Sequence, residues 1–86
     1  MAYGVEIARL ALQQLRALPR AIQQRLGARI GNLGHDPHPP GSRKLLGQND
    51  YRIRVGDYRI IYEIDSETMS VTVAVVPHRR DAYRQR

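Results

Sequence analysis

Apolar and polar residues alternate through Tyr51–Ile64, YRIRVGDYRIIYEI, with the period of two that a half-buried β-strand requires. Gly56-Asp57 interrupts the run, and a two-residue Gly-x connection predicts a hairpin closed by a type II′ turn. That turn sets Val55 opposite Tyr58, Arg54 opposite Arg59, Ile53 opposite Ile60, Arg52 opposite Ile61 and Tyr51 opposite Tyr62. Cross-strand partners project to the same side. One face is therefore Tyr51, Ile53, Val55, Tyr58, Ile60 and Tyr62, which can be core. The other carries Arg52, Arg54 and Arg59, with Glu63 on the same parity.

The remaining chain supplies elements to cover the apolar face. Tyr3–Ile7 alternates as a short first strand. From Ala8 to Leu18 the spacing turns helical, with Ala11, Leu15 and Leu18 in a stripe flanked by Leu12. Pro19 ends this helix and opens the next, Arg20–Leu33, where Ile22, Leu26, Ile30 and Leu33 recur on one side. Gly27 and Gly31 cost that helix roughly 1 kcal/mol each relative to alanine, which close packing of the two helices would explain. Gly34–Ser42, GHDPHPPGS, is a loop, and Lys44-Leu45-Leu46 a short strand extension before Gly47. Asp65–Thr68 is a polar turn. Ser70–Val76 is a central strand, with Val71, Val73 and Val75 on one side and Thr72, Ala74 and Val76 on the other; Pro77 stops it. The expected fold is α+β: a small antiparallel sheet with an N-terminal helical hairpin packed on one face, in one domain spanning residues 1–86.

Composition changes this picture mainly through charge. The 86 residues hold 14 Lys+Arg against 8 Asp+Glu, a formal charge of +6, and Lys44 is the only lysine. Arginine stays charged at any working pH and fits phosphate oxygens in a bidentate fork, so a polyanion is the expected partner. Three guanidiniums on one sheet face repel unless solvent or an anion supplies counter-charge. A solvated edge of a basic protein is the plainer alternative. With no cysteine, disulfides and thiolate metal sites are excluded. His35 and His38, which sit beside Asp36, lack a third ligand placed by an adjacent element, so no metal or cofactor is expected. No apolar run reaches membrane-spanning length, and Glu6 and Arg9 break the N-terminal stretch; a cytoplasmic protein without membrane contact is the default.

The helical hairpin ending near a DP loop, the KLLG segment, YRIRVGDYRIIYEID and the closing VVPHRRDAYR together resemble the RelE/ParE superfamily of toxins from bacterial toxin–antitoxin modules, most closely its RelE branch. The resemblance covers essentially the whole chain. It implies an endoribonuclease that cuts mRNA in the decoding site of the 70S ribosome, and a cognate antitoxin protein. The family's basic catalytic positions fall on Arg52 and Arg54, the arginine of its G-x-Y-R segment on Arg59, the arginine after the last strand on Arg79, and the C-terminal tyrosine on Tyr83. Lys44, Arg80 and Arg84 join Arg52 and Arg54 as candidate RNA contacts. Where the family has lysine in the first arm, and again just before the last arginine, this chain has Arg52, Arg54 and His78.

These substitutions bear on proton transfer. Lysine can lose a proton when its pKa falls; arginine effectively cannot. Histidine is the side-chain type suited to proton transfer near neutrality, so His78 is a candidate base or acid, although a histidine bonded to backbone at a strand end is the plainer reading. Glu63 is another candidate, and the arginines acting through electrostatics while the ribosome supplies geometry is a third. Asp81 is placed to orient Arg79 or Arg80. Tyr83 suits stacking on a nucleobase. The alternatives to an endoribonuclease are a gyrase-directed toxin of the ParE type and a non-catalytic nucleic-acid-binding protein.

Overall fold

The apolar stripes find each other across two layers. The computed structural model describes residues 2–45 and 49–78. In chain order the elements are β1 (Gly4–Ile7), α1 (Arg9–Arg16), α2 (Arg20–Asn32), β2 (Arg43–Lys44), β3 (Asp50–Val55), β4 (Tyr58–Asp65) and β5 (Ser70–Val75). The strands form one sheet in the order β1-β5-β4-β3-β2. Ala11 and Leu15 of α1, with Leu26 and Ile30 of α2, share a core with Ile53, Val55, Ile60, Tyr62, Val71 and Val73 of the sheet. The expected α+β plan of a helical pair on one sheet face is present.

Two details of the sheet depart from simple alternation. β2, β3, β4 and β5 pair antiparallel, but β1 lies parallel to β5, so the sheet is mixed. This follows from the helices lying between β1 and the rest of the sheet, since a parallel neighbour needs a long crossover. In β5 the register slips: Tyr62 pairs with Val73 but Ile61 with Val75, leaving Ala74 as the extra residue of a bulge. The bulge reverses parity beyond it. Val76, expected on the side of Thr72, is instead buried in the core, and its N–H donates to Gln14 Oε1 of α1 at 2.6 Å.

The glycines separate into two kinds. Gly27 and Gly31 are exposed, and a Cβ on either would meet nothing within 4 Å. Close helix packing is therefore not their reason. Gly34 is the glycine that packing requires: a Cβ there would sit 3.0 Å from both the Tyr3 carbonyl oxygen and Val5 Cγ2. The same residue's carbonyl accepts the Tyr3 N–H at 2.7 Å, tying the end of α2 to the start of β1.

The proline-rich loop is held down by aromatic residues rather than solvated throughout. Tyr62 is fully buried, stacks on Tyr51 at 5.9 Å between centroids, and donates its hydroxyl to the Pro37 carbonyl at 2.8 Å. His38 meets Tyr51 edge-on at 5.0 Å. Burial raises the Tyr62 phenol above its ordinary 10.0, opposed by the Ser42 hydroxyl. A folded pKa above the unfolded one gives stability that is full below pH 10.0 and lost as pH climbs through the folded value. Tyr62→Phe is expected to cost about 1–3 kcal/mol at neutral pH by orphaning the Pro37 carbonyl. The variant should also lose less stability than the wild type on going to strongly alkaline pH. Urea melts across pH check both; parallel pH curves would show that Tyr62 does not carry the alkaline loss.

Candidate nucleic-acid interface

The arginine face is built by the hairpin's own turn. Gly56 has φ of +62°, and among the described non-glycine residues only Met69 has positive φ, so Asp57 does not. A positive φ at the first central position alone is the type II′ pattern, which fits strand twist. Arg25 of α2 reaches over this turn, its Nη2 3.6 Å from where a Cβ on Gly56 would sit. The observed register pairs Val55 with Tyr58, Arg54 with Arg59, Ile53 with Ile60, Arg52 with Ile61 and Tyr51 with Tyr62. Arg52, Arg54 and Arg59 thus share the face away from the helices.

A fourth guanidinium joins them. β2 pairs Arg43 with Arg52 and Lys44 with Tyr51, so Arg43 projects beside Arg52 while Lys44 points to the opposite side of the sheet. The expectation that Lys44 reaches the basic face is corrected accordingly. Lys44-Leu45-Leu46 carries no turn that sets its register, and a shift of one exchanges the faces. Arg43 was therefore missed, although a basic pair just ahead of the hairpin was the signal for it. Gly41, Arg43, Arg52, Ile53, Arg54 and Arg59 line one groove of about 360 Å³. Arg54 Nε reaches the Gly56 carbonyl at a long 3.4 Å. Among the described residues no carboxylate pairs with Arg43, Arg52 or Arg54.

His78 goes elsewhere. β4 continues its pairing beyond the end of β5: the Arg59 N–H donates to the Pro77 carbonyl at 3.0 Å, and Tyr58 bridges His78. Bridged partners share a side, so His78 lies with Tyr58, their rings edge-on at 5.0 Å between centroids. Tyr58 belongs to the core side. His78 is therefore on the face opposite Arg54 and Arg59, which corrects its candidacy as their proton-transfer partner. His78→Gln is expected to leave the pH dependence of activity unchanged; a flattened limb near neutrality would restore the histidine to the mechanism.

The arginine face is also polarised along the strands. Asp50 pairs with Glu63 on the same side as the arginines, at the end of the hairpin away from the turn. With Asp65 and Glu67, this acidic pair borders a second groove of about 630 Å³. Two strand residues separate successive rungs on one face by about 6.7 Å, so Glu63 sits some two rungs, or ~13 Å, from the Arg54–Arg59 pair. It is too far to serve a phosphate held there. Arg79, Arg80, Asp81, Tyr83 and Arg84 lie outside the described residues, as does Leu46. Among the described residues no three His, Asp or Glu side chains gather as a metal site, and no helix is long and apolar enough to cross a membrane.

Known proteins resemble this chain in sequence and fold. A family model described as the ParE toxin of type II toxin–antitoxin systems matches residues 5–83. Toxin RelG of Mycobacterium tuberculosis is 34% identical over 89 residues, covering 99% of this chain and 100% of the relative. A putative RelE-like toxin protein of Escherichia coli is 30% identical over 82 residues, covering 92% of this chain and 85% of its own. Among solved structures, the archaeal RelE–RelB complex from Pyrococcus horikoshii superposes with a TM-score of 0.83 at 29% identity, over 92% of this chain and 97% of that one.

Proposed function

The chain belongs to the RelE/ParE superfamily of type II toxin–antitoxin toxins, in its RelE branch, and from that premise we propose that it cuts mRNA on the ribosome and so arrests translation. The observation that carries the reading is the gathering of Arg52, Arg54 and Arg59, with Arg43, on one exposed sheet face away from the core. RNA brings its own nucleophile. The ribose 2′-hydroxyl attacks the adjacent phosphorus, its proton passes to an acceptor, and the P–O5′ bond breaks as the leaving oxygen takes up a proton. The products are a 2′,3′-cyclic phosphate and a 5′-hydroxyl. Charge grows on the non-bridging oxygens, and Arg54 and Arg59 are spaced to neutralise it from two neighbouring strands. Arg79 completes the clamp, and Tyr83 stacks on a base to hold the strand splayed. Arg80 and Arg84 add backbone contacts.

The side chains available favour ribosome dependence. Arginine is no proton acceptor at neutral pH. With His78 behind the sheet and Glu63 two rungs away, the described part of the chain contributes charge rather than a base. Alignment of the 2′-hydroxyl and an acceptor for its proton come from the decoding site in which the message is already held. The site of action is therefore cytoplasmic. A cognate antitoxin is the second partner, a reading supported by the RelE–RelB assembly of the Pyrococcus relative. A groove that accepts an anionic backbone also accepts carboxylates of a neighbouring polypeptide. The whole chain acts as one toxin domain.

Inducible expression followed by mapping of mRNA 5′ ends tests the reading. New ends within translated codons, suppressed by the adjacent antitoxin gene product, are expected. Intact mRNA accompanied by gyrase-dependent DNA damage would reassign the chain to the ParE mode of action.

A further inference from the structure

We infer that Arg43 and Arg52 form a second phosphate subsite, which takes the phosphodiester next to the one held by Arg54 and Arg59, so that the face grips two consecutive phosphates of one RNA strand. The inference rests on reading this face as an RNA site and adds its extent. The register places the four guanidiniums in two rows, Arg43 beside Arg52 and Arg54 beside Arg59. Within a row the strands are about 4.8 Å apart, close enough for two forks to share one phosphate. Between rows the offset along β3 is two residues, about 6.7 Å, the scale of one nucleotide step. All four side chains line the same groove.

The next rung closes the site. Asp50 and Glu63 stand opposite each other one row beyond Arg52, where a third phosphate would meet two carboxylates. Like charge there is unfavourable, so the acidic rung limits the footprint to two phosphates and sets where the strand must turn away. Pairing Arg43 with Arg52 without an anion between them is likewise unfavourable. The carboxylates of Asp50 and Glu63 stand one row away, not within the Arg43–Arg52 row itself.

The test uses a short, uncleavable 2′-O-methylated RNA oligonucleotide and the full chain, with binding read by fluorescence anisotropy over a range of salt. Removing one cation from a phosphate lowers the slope of log K against log salt by about 0.7 for a single strand. Arg43→Gln is expected to lower the slope by that amount, and Arg43→Lys to restore most of it. Lys44→Gln removes the same charge one residue away on the opposite face and should lower it much less. Arg43 is exposed on a two-residue edge strand, so neither change threatens the core. Equal slopes for Arg43→Gln and Lys44→Gln, or a wild-type slope for Arg43→Gln, would overturn the subsite while leaving cleavage by Arg54 and Arg59 intact. The predicted slopes together with uncut mRNA on ribosomes would instead reject the catalytic reading and keep the subsite. No binding by the wild type at low salt would reject the subsite.

Discussion

Arg59→Ala is expected to lower mRNA cleavage on translating ribosomes by about 10²–10³-fold, the usual effect of removing one preorganised donor from developing anionic charge. Growth arrest on induction should disappear with it. The residue sits at the start of β4, opposite Arg54, and its backbone N–H is already fixed to the Pro77 carbonyl. Truncating the side chain leaves that ladder in place, so the variant should fold and still co-purify with the antitoxin. Arg59→Lys should recover only part of the activity, because an ammonium keeps the charge and loses the planar fork. A fully toxic Arg59→Ala would remove the residue from the mechanism.

Gly34→Ala is the structural counterpart with the next largest effect. Its Cβ would press at 3.0 Å on a backbone oxygen of Tyr3 and a methyl of Val5, and neither belongs to a flexible side-chain end. Overpacking of this kind costs about 1–3 kcal/mol. The loss should concentrate on β1, an edge strand that pairs with β5. Gly27→Ala and Gly31→Ala go the other way. Both positions are open; Gly27 lies in the helix interior and should stabilise by roughly 1 kcal/mol as alanine, and Gly31, in the last turn, by less. Denaturant melts of the three variants separate the two kinds of glycine; a destabilised Gly27→Ala would mean that a Cβ does meet something there.

The hairpin was legible in the sequence because two independent signals agree there. Alternation fixes which residues share a face, and Gly56-Asp57 fixes which residues stand opposite each other. Once both are set, Arg54 beside Arg59 follows without further information. What failed did so where a single residue decides parity. The short β2 has no turn of its own to set its register, so the pairing that brings in Arg43 and turns Lys44 away carries no local mark. The bulge at Ala74 turned Val76 inward, and alternation alone carries no mark of a bulge when residues on both sides are apolar. The side on which His78 lies depends on its bridge to Tyr58, a long-range pairing invisible in local pattern. The helical glycines misled for another reason: spacing shows where a glycine sits, not whether anything approaches it. The parallel setting of β1 is likewise a matter of topology, not propensity.

The most direct measurement is cleavage in a reconstituted system of purified ribosomes, a defined mRNA and the purified chain, with the chemistry of the new ends determined. The expected products are 5′-hydroxyl fragments cut within the decoding site, paired with cyclic phosphates upstream, and both should be lost in Arg54→Ala/Arg59→Ala. Folded wild-type protein that leaves the message whole, or a double variant that cuts as fast as the wild type, would contradict the proposed function.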